Sequence, residues 1–66
     1  MKETLGQRLR RLRLAAELTQ TELADHAATS QDHISDLERD AKTPGLDLCR
    51  RLAGACGVSV AELIGD

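Results

Sequence analysis

The side chains that most often carry chemistry in proteins are few in this sequence and poorly spaced for it. Cys49 and Cys56 lie seven positions apart in a stretch with helical periodicity, so their Cα atoms should be about 10 Å apart, beyond the roughly 7 Å limit for a disulfide. His26 and His33 are the only histidines, and neither pairs with a cysteine at zinc-ligand spacing. No nucleophile has a plausible base, so we expect no catalytic residue, no metal site and no cofactor. Both cysteines are expected to be small core residues.

The composition describes a single small globular domain that spans residues 1–66. Hydrophobic residues make up 41% of the chain and charged residues 30%, a balance typical of folded proteins rather than disordered ones. Because the sequence has no Phe, Tyr or Trp, its core must consist of Leu, Ile, Val, Ala and Cys. No apolar run is long enough for a membrane span or a signal peptide. We therefore expect a cytoplasmic protein with no membrane partner.

The charges are distributed unevenly, although the net charge is only −2. Residues 1–17 contain five basic and two acidic side chains, whereas residues 18–40 contain one basic and six acidic side chains. The net charge alone argues weakly against a nucleic-acid partner. The asymmetry is more informative, because the distribution of charge over the surface decides which partners are attracted to which face.

Helix caps and apolar periodicity predict an all-α chain. The expected helices cover residues 5–17, 20–27, 30–39, 46–56 and 60–64. Two of them start at capping boxes, Thr19 with Glu22 and Ser59 with Glu62, and Ser30 is the N-cap of another. Because all connections are short, the natural architecture is a compact five-helix bundle.

The helical periodicity also predicts which side chains face the core. Within residues 5–17 the apolar stripe consists of Leu5, Leu9, Leu12 and Ala16. The inward positions of the other helices are Leu23, Ala24, Ala27, Ile34, Leu37, Cys49, Leu52, Ala53, Cys56, Leu63 and Ile64. Leu14 falls on the opposite face of the first helix, where we expect it to be exposed.

Residues 20–39 are the most informative segment, because they form two short helices separated by a turn of three residues or so. Helices joined so tightly must cross at a steep angle, which is the helix-turn-helix arrangement. Ala24 supplies the small side chain that such a crossing needs. In DNA-binding versions of this unit, the second helix lies in the major groove and its N-terminal residues reach the base edges.

Motifs along nearly the whole chain point to one family. They are Leu-Thr-Gln-Thr-Glu-Leu-Ala at 18–24, Ser30, Ile34-Ser35, Leu37-Glu38-Arg39, Pro44, Leu46-Asp47, Arg51-Leu52-Ala53, Gly57-Val58-Ser59 and Glu62-Leu63. From about Leu5 to Ile64 the chain resembles the phage repressor/Cro (Xre-type) helix-turn-helix family. The resemblance implies a lambda-repressor-like DNA-binding domain with its recognition helix at about residues 30–39. It further implies a transcriptional regulator, expected to be a repressor, that binds duplex DNA sequence-specifically.

The resemblance also implies partners. The family typically binds as a two-fold dimer on inverted half-sites, so we expect a homodimer that is bacterial or phage-encoded, cytoplasmic, and nucleoid-associated when bound. The dimer would use Val60 and Ile64, or Leu14, or would form only on DNA. Alternatively, the chain is a DNA-binding piece of a longer protein.

Roles for individual residues follow from the resemblance by position. The implied base-reading residues are Gln31, Asp32 and Asp36, the phosphate-contacting residues are Gln20, Ser35, Lys42 and Thr43, and the residues of an internal salt bridge are Arg13 and Glu38. Gln20 is also expected to brace Gln31. Alternatives stay open for four of these residues. Gln20 could simply be a first-turn helix residue, and Ser35 could contact a base. Asp32 could only complement a helix N-terminus, and Asp36 could be a solvated charge.

Three features depart from the family's pattern. Ala28 and Asp40 stand where glycine is usual, and left-handed backbone there would cost roughly 1–2 kcal/mol for alanine and less for aspartate. The recognition helix is acidic, with only Arg39 opposing its carboxylates. Phosphate repulsion should therefore make binding by one domain weak, so that dimerisation or tandem sites are needed. Arginines of the first helix would compensate in part by flanking the groove.

A second function stays open from the sequence alone. The same fold could serve as a protein-binding module, an antitoxin or a co-regulator, with the acidic face of the third helix docking a basic partner. Titration with duplex DNA across a salt series separates the two functions, because only a DNA-binding domain releases counterions from phosphates.

Overall fold

A computed structural model describes residues 2–65, and over this range the chain forms five α-helices and no strand. The helices are α1 (Leu5–Ala15), α2 (Gln20–His26), α3 (Gln31–Glu38), α4 (Leu46–Cys56) and α5 (Val60–Ile64). The predicted all-helical architecture is confirmed. The observed helix bounds differ from the expected ones by at most two residues.

Except for α4, the helices begin where polar side chains satisfy backbone N–H groups that have no partner within the helix. Thr19 forms the predicted capping box with Glu22 at the start of α2, and Ser30 caps α3. Thr4 and Gln7 form a further capping box at the start of α1, which the sequence pattern had not indicated. These local contacts explain where α1, α2 and α3 start. Ser59 caps α5 by accepting from the Glu62 N–H, without the reciprocal bond of the predicted capping box, and α4 starts after Gly45 without a side-chain cap.

Residues with left-handed backbone follow α1, α2 and α3. The φ angle is 59° at Glu17, 56° at Ala28 and 60° at Asp40. The left-handed conformation expected at Ala28 and Asp40 is confirmed, whereas that of Glu17 was not predicted. Each of these residues turns the chain sharply into the next segment. The left-handed conformation costs free energy at all three, because none of them is glycine.

The core is formed by one cluster of apolar side chains from all the helices. Its buried members are Leu9, Leu12, Leu23, Ala24, Ala27, Ile34, Leu37, Leu48, Cys49, Leu52, Ala53 and Leu63. Leu48 had not been predicted, and Cys56 is only half-buried. The core position predicted for Ile64 is wrong, because its side chain is 44% exposed. Successive helical residues project about 100° apart, so Leu63 takes the inward position of α5 and Ile64 does not.

The packing of the helices leaves one side of α3 open. α3 packs against α1 and α2, and α4 packs against α2, α5 and α1. Leu14 of α1 is 54% exposed, as its position on the outer face predicted. Across residues 2–65, no helix has the length and apolar character needed to cross a membrane.

Candidate nucleic-acid interface

The open side of α3 presents polar side chains. Ile34 and Leu37 are buried and fix the helix on the domain, so the residues on the other side of the helix face outward. Gln31 and Asp32 lie in the first turn and are exposed. The two residues expected to read bases at the N-terminal end of this helix are therefore accessible to a large partner.

Gln20, the first residue of α2, lies between Gln31 and Glu38. Its Nε2 donates a hydrogen bond to Glu38 Oε1 at 3.1 Å. Its Oε1 accepts from Gln31 Nε2 at 3.5 Å, which is longer than an ordinary hydrogen bond. Glu38 therefore orients the Gln20 amide firmly, and Gln20 in turn restrains Gln31 only weakly.

Arg13 and Glu38 join α1 to α3 through a buried ion pair. The Nε and Nη2 atoms of Arg13 donate to the two carboxylate oxygens of Glu38 at 2.7 and 3.1 Å. The Nη1 atom of Arg13 donates to the Leu18 carbonyl at 2.9 Å. The two charged side chains are only 10% and 4% exposed. The structure thus brings together the residues that the resemblance paired, and Gln20 binds the same carboxylate.

Asp36 is engaged with two cations of its own chain. Its Oδ1 accepts from the Arg39 guanidinium, and its Oδ2 lies 3.8 Å from Lys42 Nζ. Lys42 and Thr43 are exposed in the loop after α3, whereas Ser35 is half-buried. In the free protein, Asp36 therefore offsets two positive charges that phosphates would attract.

Glu3 holds two arginines of α1 within the domain. Arg11 donates from Nε and Nη2 to the two carboxylate oxygens of Glu3 at 2.8 and 3.1 Å. Arg8 Nε lies 3.4 Å from Glu3 Oε1, and Arg8 Nη1 donates to the Leu63 carbonyl at 3.3 Å. The hydrogen bond from Arg11, together with the charges of both arginines, lowers the pKa of Glu3.

In the free protein, Arg8 and Arg11 are paired with Glu3 of the same chain, and the flanking of a groove by the arginines of α1 stays a prediction. Sequence reasoning missed Glu3. It precedes α1 and lies eight positions before Arg11, a separation that belongs to no regular i,i+3 or i,i+4 pairing.

The cysteines show no sign of chemical activation. Burial raises the pKa of both the Cys49 and the Cys56 thiol, so both are protonated and weakly nucleophilic at neutral pH. Within the described part of the chain, both are free thiols. Over the same residues, no three side chains of His, Cys, Asp or Glu are grouped as a metal ion would require.

Comparison with known proteins shows similarity along nearly the whole chain. A family model described as "Helix-turn-helix domain" matches residues 4–63. The immunity repressor protein of Bacillus phage phi105 is 38% identical over 63 residues, which are 96% of this chain and 44% of that protein. The uncharacterized HTH-type transcriptional regulator y4dJ of Sinorhizobium fredii is 38% identical over 64 residues, which are 97% of this chain and 83% of that protein. The chain thus spans less than half of the phage repressor but most of y4dJ.

Two solved structures have the same fold. The P22 c2 repressor protein, crystallised in complex with synthetic operator 9T, matches with a TM-score of 0.90 and 27% identity, covering 98% of this chain and 100% of that one. The restriction-modification controller protein C.AhdI from Aeromonas hydrophila matches with a TM-score of 0.88 and 33% identity, covering 91% of each chain. Both similarities include α2 and α3, the helices that form the open polar surface.

Proposed function

This chain belongs to the helix-turn-helix domain family of phage repressors and related regulators, and we propose that it binds duplex DNA sequence-specifically to regulate transcription, as a repressor. α3 is the recognition helix and lies in the major groove when bound. The observation that carries the proposal is the exposed first turn of α3, where Gln31 touches the Gln20 amide that Glu38 orients. Such a protein acts on the nucleoid in a bacterial cytoplasm.

The proposed contacts divide into readers and anchors. Gln31 reads a base, since a glutamine amide can form a bidentate pair with adenine, and Asp32 accepts from a cytosine amino group or complements the helix N-terminus. Gln20, Lys42 and Thr43 bind phosphates, which position the helix without reading sequence. Ser35 contacts phosphate from its half-buried position.

Binding by one domain is expected to be weak. Asp36 offsets the charges of Arg39 and Lys42, so few counterions are released when a single α3 docks. We therefore propose that the protein binds as a homodimer on inverted half-sites about one helical turn apart. Ile64 and Leu14 are both exposed and so are accessible to a second copy.

Selection from a random duplex pool, followed by titration of the selected sequence across a salt series, tests the proposal. We expect Gln31→Ala to relax base preference at one position, with little change in the salt slope. Lys42→Ala should weaken binding to all sequences alike and reduce the slope by about 1. Arg50→Ala removes the same charge from the exposed surface of α4 and is the matched control.

Two outcomes contradict the proposal. If the folded dimer binds no duplex at about 50 mM salt, the domain is not a DNA-binding regulator, and docking of a basic protein partner on the acidic side of α3 becomes the leading function. If Gln31→Ala and Lys42→Ala behave identically, the division into readers and anchors is wrong.

A further inference from the structure

The carboxylate of Asp40 caps a helix far from it in the sequence. Asp40 lies just beyond the end of α3, and its Oδ1 accepts a hydrogen bond from the Gly6 N–H at 2.9 Å. Its Oδ2 accepts from the Thr4 hydroxyl at 2.6 Å. Thr4 is the N-cap of α1 and uses the same hydroxyl oxygen to accept from the Gln7 N–H. The positive end of α1 is thus satisfied partly by a negative side chain that the recognition helix carries.

Gly6 brings the two backbones into direct contact at the same place. A Cβ atom at residue 6 would lie 2.5 Å from the Leu37 carbonyl oxygen and 2.7 Å from that of Glu38. Only glycine allows α1 to approach the last turn of α3 so closely. The Asp40 carboxylate therefore acts where the backbones of α1 and α3 lie in close contact.

The backbone of Asp40 sets the path of the loop that follows. Its left-handed conformation lets its own N–H donate to the Leu37 carbonyl at 3.1 Å and the Ala41 N–H donate to the Asp36 carbonyl at 2.9 Å. Glycine would adopt this conformation at lower cost, but glycine has no side chain that could reach α1. Lys42 comes two residues later, so its position depends on how Asp40 is held.

We propose that Asp40 is a positioning residue whose carboxylate fastens the end of α3, and the loop that begins there, to the start of α1, and so places Lys42 and Thr43 beside the recognition helix. We call the hydrogen bonds of Asp40 with Thr4 and Gly6 the Asp40 link. Its consequence for DNA rests on the proposed function, whereas the link itself does not.

Amide hydrogen exchange and ¹⁵N relaxation of the free protein test the link. Asp40→Gly removes the carboxylate and relieves the backbone, and Ala28→Gly is the matched control, because it relieves the same left-handed conformation at the other turn. In Asp40→Gly we expect the Gly6 amide to exchange at least about tenfold faster than in Ala28→Gly. The order parameters of residues 41–43 should fall from about 0.85 towards 0.6.

Asp40→Asn keeps one side-chain oxygen as an acceptor and should restore part of the Gly6 protection. Unchanged Gly6 exchange and unchanged order parameters in Asp40→Gly would overturn the link. Circular dichroism at the temperature of the experiment confirms that each variant is folded, so that a loss of protection reports on the Asp40 link and not on global unfolding.

A double-mutant cycle on DNA tests the positioning role. The probe is the duplex that the wild-type protein enriches from a random pool, and Lys42→Ala is measured in the wild-type and Asp40→Gly backgrounds. We expect Lys42→Ala to weaken binding several-fold in the wild-type background and less than about twofold in Asp40→Gly, since coupled residues are not additive. Equal effects in both backgrounds would show that Asp40 does not place Lys42. If the wild-type protein enriches no duplex, the proposed function fails, and the exchange experiment still decides the link.

Discussion

The N-terminal end of α3 is capped by its own Ser30, whereas the C-terminal end is joined to α1 by a buried ion pair and a backbone contact. At the first end, the side-chain hydrogen bond that reaches α3 from α2 is the 3.5 Å approach of Gln20 to Gln31. At the other end, Arg13 binds Glu38 through two short hydrogen bonds. One helix therefore has an open end and a fixed end.

The difference matches what the proposed function requires of each end. Side chains that are to meet the edges of base pairs must be accessible, so the domain cannot bury them or hold them tightly. The precision with which they meet the bases must then come from the opposite end of the same rigid helix. Glu38 affects both ends of α3. The carboxylate that binds Arg13 at the fixed end also orients the amide of Gln20, which contacts Gln31 at the open end.

Glu38→Ala is expected to have the largest effect on this arrangement. Removing one partner of a buried ion pair costs about 3–5 kcal/mol, because the other charge is left uncompensated. At roughly 0.05–0.15 kcal/mol per residue, a chain of this length has a free energy of unfolding of about 3–10 kcal/mol. We therefore expect the free energy of unfolding, measured by urea denaturation, to fall by about 3–5 kcal/mol, a large share of the total. A loss below about 1 kcal/mol would mean that the pair is solvated and behaves as a surface salt bridge.

The double variant Arg13→Met with Glu38→Leu separates stability from positioning. Apolar replacement of both partners of a buried pair is often neutral or stabilising, so this variant should recover most of the lost stability. It leaves the Gln20 amide without its acceptor. Under the proposed function, base preference at the position that Gln31 reads should therefore be partly relaxed even though the domain is folded, because the weak restraint of Gln31 by Gln20 is lost. Selection from a random duplex pool measures this preference.

Gly6→Ala should have the next largest effect, because it acts on the backbone contact at the fixed end. The added methyl group forces the carbonyls of Leu37 and Glu38 away, and overpacking of this kind costs about 1–3 kcal/mol. Gly54→Ala in α4 is the matched control, since its Cβ would have no atom within 4 Å. The control should gain about 0.5–1 kcal/mol from helix propensity. Equal changes in the two melting temperatures would show that the two helices are not in close contact.

The open end of α3 was more predictable from the sequence than the fixed end. The Ser30 cap and the buried pair Ile34 and Leu37 are local patterns that a single sequence displays. Arg13 and Glu38 are 25 residues apart, and no spacing rule joins them, so their pairing came from the resemblance alone. The contacts of Glu3 with Arg11 were missed for the same reason.

The residues at the other helix ends also differed in how well the sequence predicted them. Left-handed backbone at Ala28 and Asp40 could be predicted because the family usually has glycine there, whereas Glu17 gave no such signal. Ile64 was misplaced because α5 has only five residues, too few for apolar periodicity to decide which of two neighbouring side chains faces inward.

Ser30→Ala tests the open end and should have a smaller effect than either change at the fixed end. The Ser30 hydroxyl accepts a hydrogen bond from the His33 N–H at 3.1 Å, and loss of an N-cap costs about 1 kcal/mol. For a domain of this size, the melting temperature should fall by about 4–8 °C. Ser30→Asp keeps an acceptor and should restore the wild-type value. If Ser30→Ala destabilises the domain more than Gly6→Ala does, the assignment of open and fixed ends is reversed.

The smallest expected effect is a change of stability with pH, and it compares the starts of α2 and α3. Glu22 accepts from the Thr19 N–H at 2.9 Å, and this hydrogen bond lowers the pKa of Glu22 below its ordinary value of 4.5. A carboxyl group whose pKa is lower in the folded state adds stability above its unfolded pKa and loses it as the pH falls through the folded pKa. Glu22→Gln keeps an amide oxygen at this position but cannot titrate.

Melting temperatures of the wild-type protein and Glu22→Gln, measured from pH 6 to pH 3, give the comparison. We expect the wild-type protein to be the more stable of the two above about pH 4.5 and its advantage to shrink as the pH falls. The third residue of α3 is His33, which carries no carboxylate, so the cap of α3 should contribute nothing to this difference. Parallel melting curves across the whole range would show that the Glu22 carboxylate does not support the start of α2.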